Sequence, residues 1–197
     1  GTASWSDANN WNPNGVPGSA DTVTFDGTST ANSSVDASFA GTIATLNINS
    51  GYTGTLSLAR SLTVTTSFSQ ATGTLDLGSQ TLTVRGDFTV TGGTFTAGTS
   101  SVVLSNLGST GTPGLTINVP TSLTFNNLEI NSFNTRTVTI TSGDTLIVTG
   151  TFTHTEGYLD GGTIETRGNV TIAATADGTN SASGATVLSF VTAGDQT

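Results

Sequence analysis

Apolar and polar residues alternate through most of the chain, in short runs separated by glycine-containing turns. The clearest run, Leu62-Thr63-Val64, is followed four residues later by Phe68, and the same arrangement begins again at Leu82, Leu146 and Ile164. Alternation with a period of two predicts strands with one buried and one solvated face. No stretch has the apolar spacing of a helix. The pattern therefore predicts an all-β protein.

The alternating runs form an internal repeat of about 20 residues, which is typical of one rung of a β-solenoid. At about 3.3 Å per residue, each copy would make one coil of three short strands and three turns. Stacked coils would place Leu82 over Leu62 and Phe88 over Phe68. Ladders of such residues would then fill a narrow core. The predicted core ladder consists of Leu62, Val64, Phe68, Leu82, Val84, Phe88, Leu146, Val148, Phe152 and Ile164.

An antiparallel β-sandwich is the alternative fold, because short strands at regular spacing also fit that architecture. Two observations favour the parallel solenoid. The repeat carries sequence identity as well as periodicity, and hairpin dipeptides flanked by alternation are scarce. The Asn14-Gly15 dipeptide lies near the N-terminus, away from the repeats.

The N-terminal segment differs in composition from the rest of the chain. It holds both tryptophans, Trp5 and Trp11, together with asparagine, glycine and proline at a density typical of tight turns. The first rung of a solenoid has an open apolar end and an open strand edge, and a turn with large aromatics would cover both. We therefore predict a cap and first strand over residues 1–26, a solenoid over 27–197, and loop excursions near 106–120 and 173–185.

The opening pattern Trp-x-Asp-x-x-Asn-Trp-x-Pro, which begins at Trp5, resembles the start of β-helical repeat modules in very large bacterial surface proteins. The runs Gly86-Asp87-Phe88-Thr89-Val90 and Gly161-Gly162-Thr163-Ile164 are similar to repeats in autotransporter-passenger-like and adhesin-like exoproteins. The resemblance covers nearly the whole chain. It implies a right-handed parallel β-helix that is exported to the cell surface, often within a longer array. It implies no catalytic residues.

Composition and charge limit the classes of binding partner and the cellular location that we expect. The net charge is −9, there is no lysine, and Lys and Arg together number 4. Such a chain could not neutralise the phosphates of nucleic acid or an anionic membrane surface. Cysteine is absent, so no disulfide framework forms. Methionine is absent even at position 1, so we expect a processed chain or a piece of a longer one. The low charge and mild negative excess fit a protein located outside the cell or on its surface.

Candidate chemistry is sparse. The densest set of acidic residues is Asp144, Glu156, Asp160 and Glu165. Asp144 and Glu165 could lie one rung apart on one face. Paired catalytic carboxylates of glycosidases need a separation of about 5–10 Å. Solvated turn residues are the favoured interpretation. His154 is the only histidine and, without cysteine, cannot make a zinc site. We expect no enzymatic activity and no cofactor; calcium at acidic turns is a weaker alternative without a recognisable binding loop.

The C-terminal end points to assembly. Its last residues include neither an aromatic cap nor a charged terminator, so we expect another repeat or another subunit to dock there. End-to-end contacts of this heterologous kind propagate into filaments. The predicted assembly end consists of Gly194, Asp195, Gln196 and Thr197.

We therefore expect a structural subunit or segment of a surface filament, stalk or surface layer, whose partners are copies of itself or adjacent repeats. One alternative is a carbohydrate-binding adhesin that contacts surface glycans through exposed aromatic side chains. The aromatic candidates are Trp5, Trp11, Tyr52 and Tyr158. A second alternative is a polysaccharide-degrading enzyme, which needs clustered carboxylates in a groove.

Overall fold

The structure is a computed structural model that describes residues 3–106, 114–133, 136–173 and 184–191. These residues form strands and one three-residue 3-10 helix, Ala8–Asn10, and none of them lies in an α-helix. The strands are β1 (Thr22–Phe25), β2 (Ser33–Val35), β3 (Thr42–Ile48), β4 (Thr55–Leu58), β5 (Leu62–Gln70), β6 (Thr74–Asp76), β7 (Thr81–Val84), β8 (Asp87–Val90), β9 (Thr94–Thr96), β10 (Ser101–Asn106), β11 (Leu115–Asn118), β12 (Ser122–Phe125), β13 (Asn127–Ser132), β14 (Thr137–Ile140), β15 (Thr145–Val148), β16 (Thr151–Glu156), β17 (Tyr158–Asp160), β18 (Thr163–Thr166), β19 (Asn169–Ile172) and β20 (Val187–Phe190).

The strands stack into a β-solenoid of about 7 turns, which confirms the predicted parallel β-helix. Every pairing between the described strands is parallel, so the antiparallel sandwich is wrong. Parallel neighbours require a crossover rather than a hairpin, and here each crossover is the remainder of one coil.

Each coil contributes to three faces. The first face contains the starts of β3 and β5 and then β7, β10, β13, β16 and β19. The second face contains β1, the ends of β3 and β5, and then β8, β11, β14 and β17. These two faces form one 12-stranded sheet because β5 runs through the corner between them and pairs with both β7 and β8. The third face is split into two sheets, β2-β4-β6-β9 and β12-β15-β18-β20.

Ladders of like residues fill the interior. Leu62 lies opposite Leu82, and Phe68 lies opposite Phe88 with ring centroids 5.0 Å apart. In the later coils Leu146 lies opposite Ile164. All ten residues of the predicted core ladder are buried. Burying such side chains stabilises the fold by about 1.5–3 kcal/mol each.

The repeat copies do not all lie in one stack. Leu62 and Leu82 belong to the first face, and their ladder continues through Val102 and Leu128 to Phe152. The copy that begins at Leu146 lies on the third face instead. The repeat thus moves by one face between the two halves of the molecule, which the sequence did not predict.

Some turn glycines are required by close approach between coils. A β-carbon at Gly86 would overlap the carbonyl oxygen of Thr66 in the preceding coil, and one at Gly168 would overlap that of Gly150. Stacked turns therefore have no room for a side chain at these positions.

The two predicted loop excursions are described only in part. Residues 107–113 and 174–183 lie outside the described residues. Within the first excursion, Leu115–Asn118 forms β11 and pairs with β8 and β14. Regular strand therefore occupies part of the predicted loop.

Candidate functional site: the two ends of the solenoid

The N-terminal end is closed by a cluster of aromatic rings. Trp5 is fully buried, and its ring centroid lies 5.3 Å from that of Trp11, 5.1 Å from that of Phe39 and 6.1 Å from that of Phe25. Its indole Nε1 donates to the hydroxyl of Ser33 at 3.0 Å. Because its N–H group is hydrogen-bonded, the buried indole covers the first apolar rung without leaving an unpaired polar group in the core.

The backbone before Trp5 also covers a strand edge. The amide of Ser34 in β2 donates to the carbonyl oxygen of Ala3 at 2.7 Å, and the amide of Trp5 donates to that of Ser34 at 3.0 Å. Asp36 stabilises the turn that follows Trp5, because its Oδ2 accepts a hydrogen bond from the Ser6 amide at 2.9 Å. That hydrogen bond lowers the pKa of the Asp36 carboxyl, although partial desolvation opposes it. The edge of β2 is therefore paired.

The edge of β1 is free, because β1 pairs with β3 alone among the described strands. The carbonyl oxygens of Asp21 and Phe25 accept the amides of Ala44 and Asn49, at 2.9 and 2.8 Å. Alternate residues of a strand direct their backbone groups to opposite edges. The N–H and C=O groups of the intervening Thr22 and Thr24 therefore point away from β3, along the free edge.

This free edge borders a cleft of about 800 Å³, which all four residues of β1 help to line. Trp11, Pro13 and Val16 contribute apolar surface, and Val16 is 44% exposed. Asp21 and Asp26 contribute carboxylates, whereas no lining residue is Lys, Arg or His. Hydrogen bonds from the hydroxyl and amide of Thr28 lower the pKa of Asp26, so the cleft stays negatively charged into the acidic range. The cleft disfavours anionic ligands.

Within the described residues the C-terminal end is open, because no strand pairs with the outer edges of β19 and β20. Ile172, Leu188 and Phe190 occupy inward-facing positions, since their register partners are the buried residues His154, Ile164 and Thr166. Yet these three side chains are 51%, 37% and 53% exposed. Val187 and Val191 beside them are exposed as well. The last described coil therefore presents core residues to solvent.

The predicted assembly end, Gly194 to Thr197, lies outside the described residues. That prediction stays untested, and the exposed apolar residues that the structure does describe lie in and next to β19 and β20. The sequence already contained a signal for this apolar surface, because Val187-Leu188-Ser189-Phe190-Val191 is a short, mostly apolar run.

Asp144 and Glu165 lie one coil apart, as the sequence suggested, but in different environments. Asp144 is buried before β15, where its Oδ2 accepts the Val119 amide at 2.8 Å. Glu165 lies on the outward side of β18, opposite Ile147, and forms an ion pair with Arg167 at 2.6 Å. The two acids occupy adjacent coils but do not face a common groove, so they lack the arrangement that glycoside hydrolysis needs.

The other two acids of that set lie apart as well. Glu156 is the register partner of Asn131. Asp160 ends β17, and its Oδ1 accepts the Ala185 amide at 2.9 Å. The four acids therefore occupy separate places along the solenoid.

His154 faces inward in β16 and is buried. Burial lowers the pKa of its imidazole, and the hydrogen bond from Nε2 to the Gly157 carbonyl oxygen, 2.9 Å, offsets part of that effect. A second buried polar contact, which the sequence did not predict, is made by the Arg136 guanidinium, which donates to Asn106 Oδ1 at 2.6 Å. These groups sit in the core, and their arrangement satisfies buried polar atoms.

The aromatic candidates for glycan stacking are mostly inside the protein. Trp5 and Tyr52 are fully buried, and the Tyr52 hydroxyl donates to the Ala31 carbonyl oxygen at 2.9 Å. Burial raises the pKa of Tyr52. Trp11 and Tyr158 are partly exposed, but one lies in the cap and the other in β17. They do not form a pair on one face.

Metal and membrane features are limited within the described ranges. No cluster of three or more His, Cys, Asp or Glu side chains there could hold a metal ion. In the same residues no helix has the length and apolarity to cross a bilayer.

Comparison with known proteins gives no relative. No protein-family profile matches the chain, and no curated protein or solved structure matches it either.

Proposed function

We propose that this protein is a structural β-solenoid that acts outside the cell or at its surface, as a subunit or segment of a filament, stalk or surface layer. The observation that carries this proposal is the difference between its ends. Trp5 is fully buried at the N-terminal end, whereas Leu188 and Phe190 are exposed at the C-terminal end. An apolar end of this kind favours addition of a further coil, from a neighbouring repeat or a second subunit.

The interior supports a mechanical role. Parallel ladders join each described coil to the next, and stacked apolar residues fill a narrow core. Such ladders resist shear because many backbone hydrogen bonds must break together. The proposed mechanism therefore needs neither a catalytic site nor a cofactor, and we propose none.

The two alternatives have less support. A glycan-binding adhesin needs an exposed aromatic pair, but two of the four candidates, Trp5 and Tyr52, are buried. A polysaccharide-degrading enzyme needs facing carboxylates, but Asp144 is buried and Glu165 is paired with Arg167.

Electron microscopy and sedimentation velocity of the chain over a range of concentrations test the proposal. We expect rods that associate through their ends, and Leu188→Asp should weaken that association because it places a charge on the apolar end. Phe133→Asp is the matched control, since Phe133 is 39% exposed but lies between the ends. Monomers at every concentration, for both the parent chain and the variants, would contradict the proposal.

A further inference from the structure

We propose that the free edge of β1, with the cleft beside it, binds an extended segment of another protein that carries basic residues on either side of an uncharged centre. The bound segment would pair with β1 as one more strand. This inference concerns a different surface from the exposed apolar residues of β19 and β20, and it does not depend on association through that end.

The backbone of β1 supplies the groups that recognise a strand. Thr22 and Thr24 direct their N–H and C=O groups away from β3, and no described strand pairs with that side of β1. Each of these residues therefore offers one donor and one acceptor along the edge. Exposed edges of this kind bind extended peptides mainly through the main chain.

The N-terminal segment covers the core but leaves this edge unpaired. Trp11 packs against Phe25 with ring centroids 6.2 Å apart, and its indole Nε1 donates to the Trp5 carbonyl oxygen at 2.9 Å. Pro13 and Pro17 line the cleft opposite the strand and have no N–H to donate to it. The cleft therefore has described residues on both sides of a strand edge that they do not occupy.

The charge of the cleft favours a basic partner. Asp21 and Asp26 lie just before and just after β1, about 16 Å apart at roughly 3.3 Å per residue. The Gly18 amide donates to Asp21 Oδ2 at 2.7 Å and the Thr28 amide to Asp26 Oδ1 at 2.8 Å, so each carboxylate keeps one oxygen for a ligand. No lining residue is Lys, Arg or His. Lysine or arginine side chains at both ends of a bound strand would neutralise the two carboxylates.

Between the two carboxylates the edge carries no charge. The outward side chains there are those of Thr22 and Thr24, with Trp11 and Val16 as apolar surface beside them. Uncharged β-branched residues at the centre of the partner strand suit this surface. A strand from another copy of this chain fits less well, because the chain has a net charge of −9 and Lys and Arg together number 4.

A neutral saccharide is the competing ligand, because Trp11 and asparagine side chains also line the cleft. A saccharide would contact side chains such as the Thr24 hydroxyl and would need no basic group. The unpaired backbone of β1 and the two carboxylates favour the peptide instead.

Binding of a model peptide provides the first test. The probe is acetyl-Lys-Val-Thr-Val-Thr-Lys-amide, whose lysines are spaced like Asp21 and Asp26. Isothermal titration calorimetry with the whole chain should show saturable binding that weakens at high salt. Replacing both lysines by glutamate should weaken binding at least about tenfold. Asp26→Asn should do the same for the lysine peptide, whereas Asp87→Asn, which removes a charge from β8, should leave binding unchanged.

Changes at the edge distinguish backbone pairing from side-chain contact. Thr24→Pro removes an N–H that points away from β3, where proline is tolerated, and should weaken peptide binding at least about tenfold. Thr24→Val keeps that N–H and should bind as the parent chain does. N-methylation of both valines or of both threonines in the peptide blocks opposite edges of its strand, so one of these two peptides should lose binding and the other should keep it. Far-UV circular dichroism and the urea midpoint establish that each variant is folded.

Three results would overturn the inference while leaving the proposed structural function intact. They are no saturable binding at about 1 mM peptide, equal binding by Thr24→Pro and the parent chain, and equal binding by the two N-methylated peptides. The peptide comparison leaves the protein unchanged, so it decides the question even if Thr24→Pro fails to fold. Saturable binding of cellohexaose that Thr24→Val weakens, without binding of the lysine peptide, would make the cleft a saccharide site instead.

Discussion

The interior coils and the last described coil bury the same kind of position to very different extents. Phe88 and Phe190 both face inward on their strands, yet Phe88 is fully buried and Phe190 is 53% exposed. The difference arises because Phe88 has a coil on either side, which supplies Phe68 and Phe125 as ring neighbours. Alternation along a strand therefore sets the direction of a side chain, while the neighbouring coils decide its burial.

The largest expected effect is a direct contrast between these two phenylalanines. Phe88→Ala should lower the free energy of unfolding by about 3–5 kcal/mol because it leaves a cavity between two coils. Phe190→Ala should cost less than about 1 kcal/mol because its ring is half in solvent already. Urea denaturation of both variants measures the difference. Losses of similar size would mean that the two coils are equally covered.

A second contrast concerns the closed end. Trp5→Ala should also cost about 3–5 kcal/mol, since the indole fills the end of the core. Trp11→Ala should cost clearly less, about 1–2 kcal/mol, because Trp11 is partly exposed on the outer side of the cluster. Thermal and urea unfolding would show whether Trp5 closes the end. Equal losses would assign that role to the cluster as a whole.

The spacing between coils can be tested at a turn. Gly86→Ala places a methyl group against the Thr66 carbonyl oxygen and should cost about 1–3 kcal/mol through overpacking. Gly18→Ala is the control, because its nearest neighbour, Asp21 Oδ2, would lie at an ordinary 3.6 Å. The control should change stability by less than about 0.5 kcal/mol. A neutral Gly86→Ala would show that adjacent turns can separate.

The smallest effect concerns the coil just inside the open end, where Ile172 lies opposite His154. Burial lowers the pKa of His154 below 6.5, so the folded protein binds fewer protons than the unfolded chain as the pH falls below that value. The free energy of unfolding should therefore decrease between pH 7.5 and 5.5, and His154→Gln should remove that part of the decrease. Asp26 and Asp36 do not interfere, because their lowered pKa values place their titration in more acidic solution. Identical pH profiles for the two proteins would show that the last coil leaves His154 solvated.

Much of the fold was predictable because its physical cause is local. Alternation specified the strands, and the identity between the runs at Leu62 and Leu82 specified parallel stacking with the correct register. The shift of the Leu146 copy to another face was not predictable. All three faces use the same alternating strand and the same glycine-containing turn. A run such as Leu-x-Val therefore shows which side chains point into the core, but it does not show which of the three faces the strand belongs to.

The candidate site was predictable only in outline. The Trp-rich segment signalled a covered end, and the apolar run at Val187 signalled a strand. The pairing of the β1 edge could not be predicted, because it depends on where the N-terminal residues pack. The backbone of Ala3 and Trp5 forms hydrogen bonds with β2 rather than with β1. The buried contact between Arg136 and Asn106 depends in the same way on residues that are distant in sequence.

The short sequence separation between paired strands has a consequence for how the molecule forms. A strand such as β7 finds its partner in the preceding coil, about 20 residues earlier, so the chain does not have to wait for its far end before it packs. Any process that releases the N-terminus first would let Trp5 close one end and leave an apolar surface on which the next coil condenses. Growth would then proceed one coil at a time, and the exposed Leu188 and Phe190 show the kind of apolar surface that each coil presents before the next one packs on it.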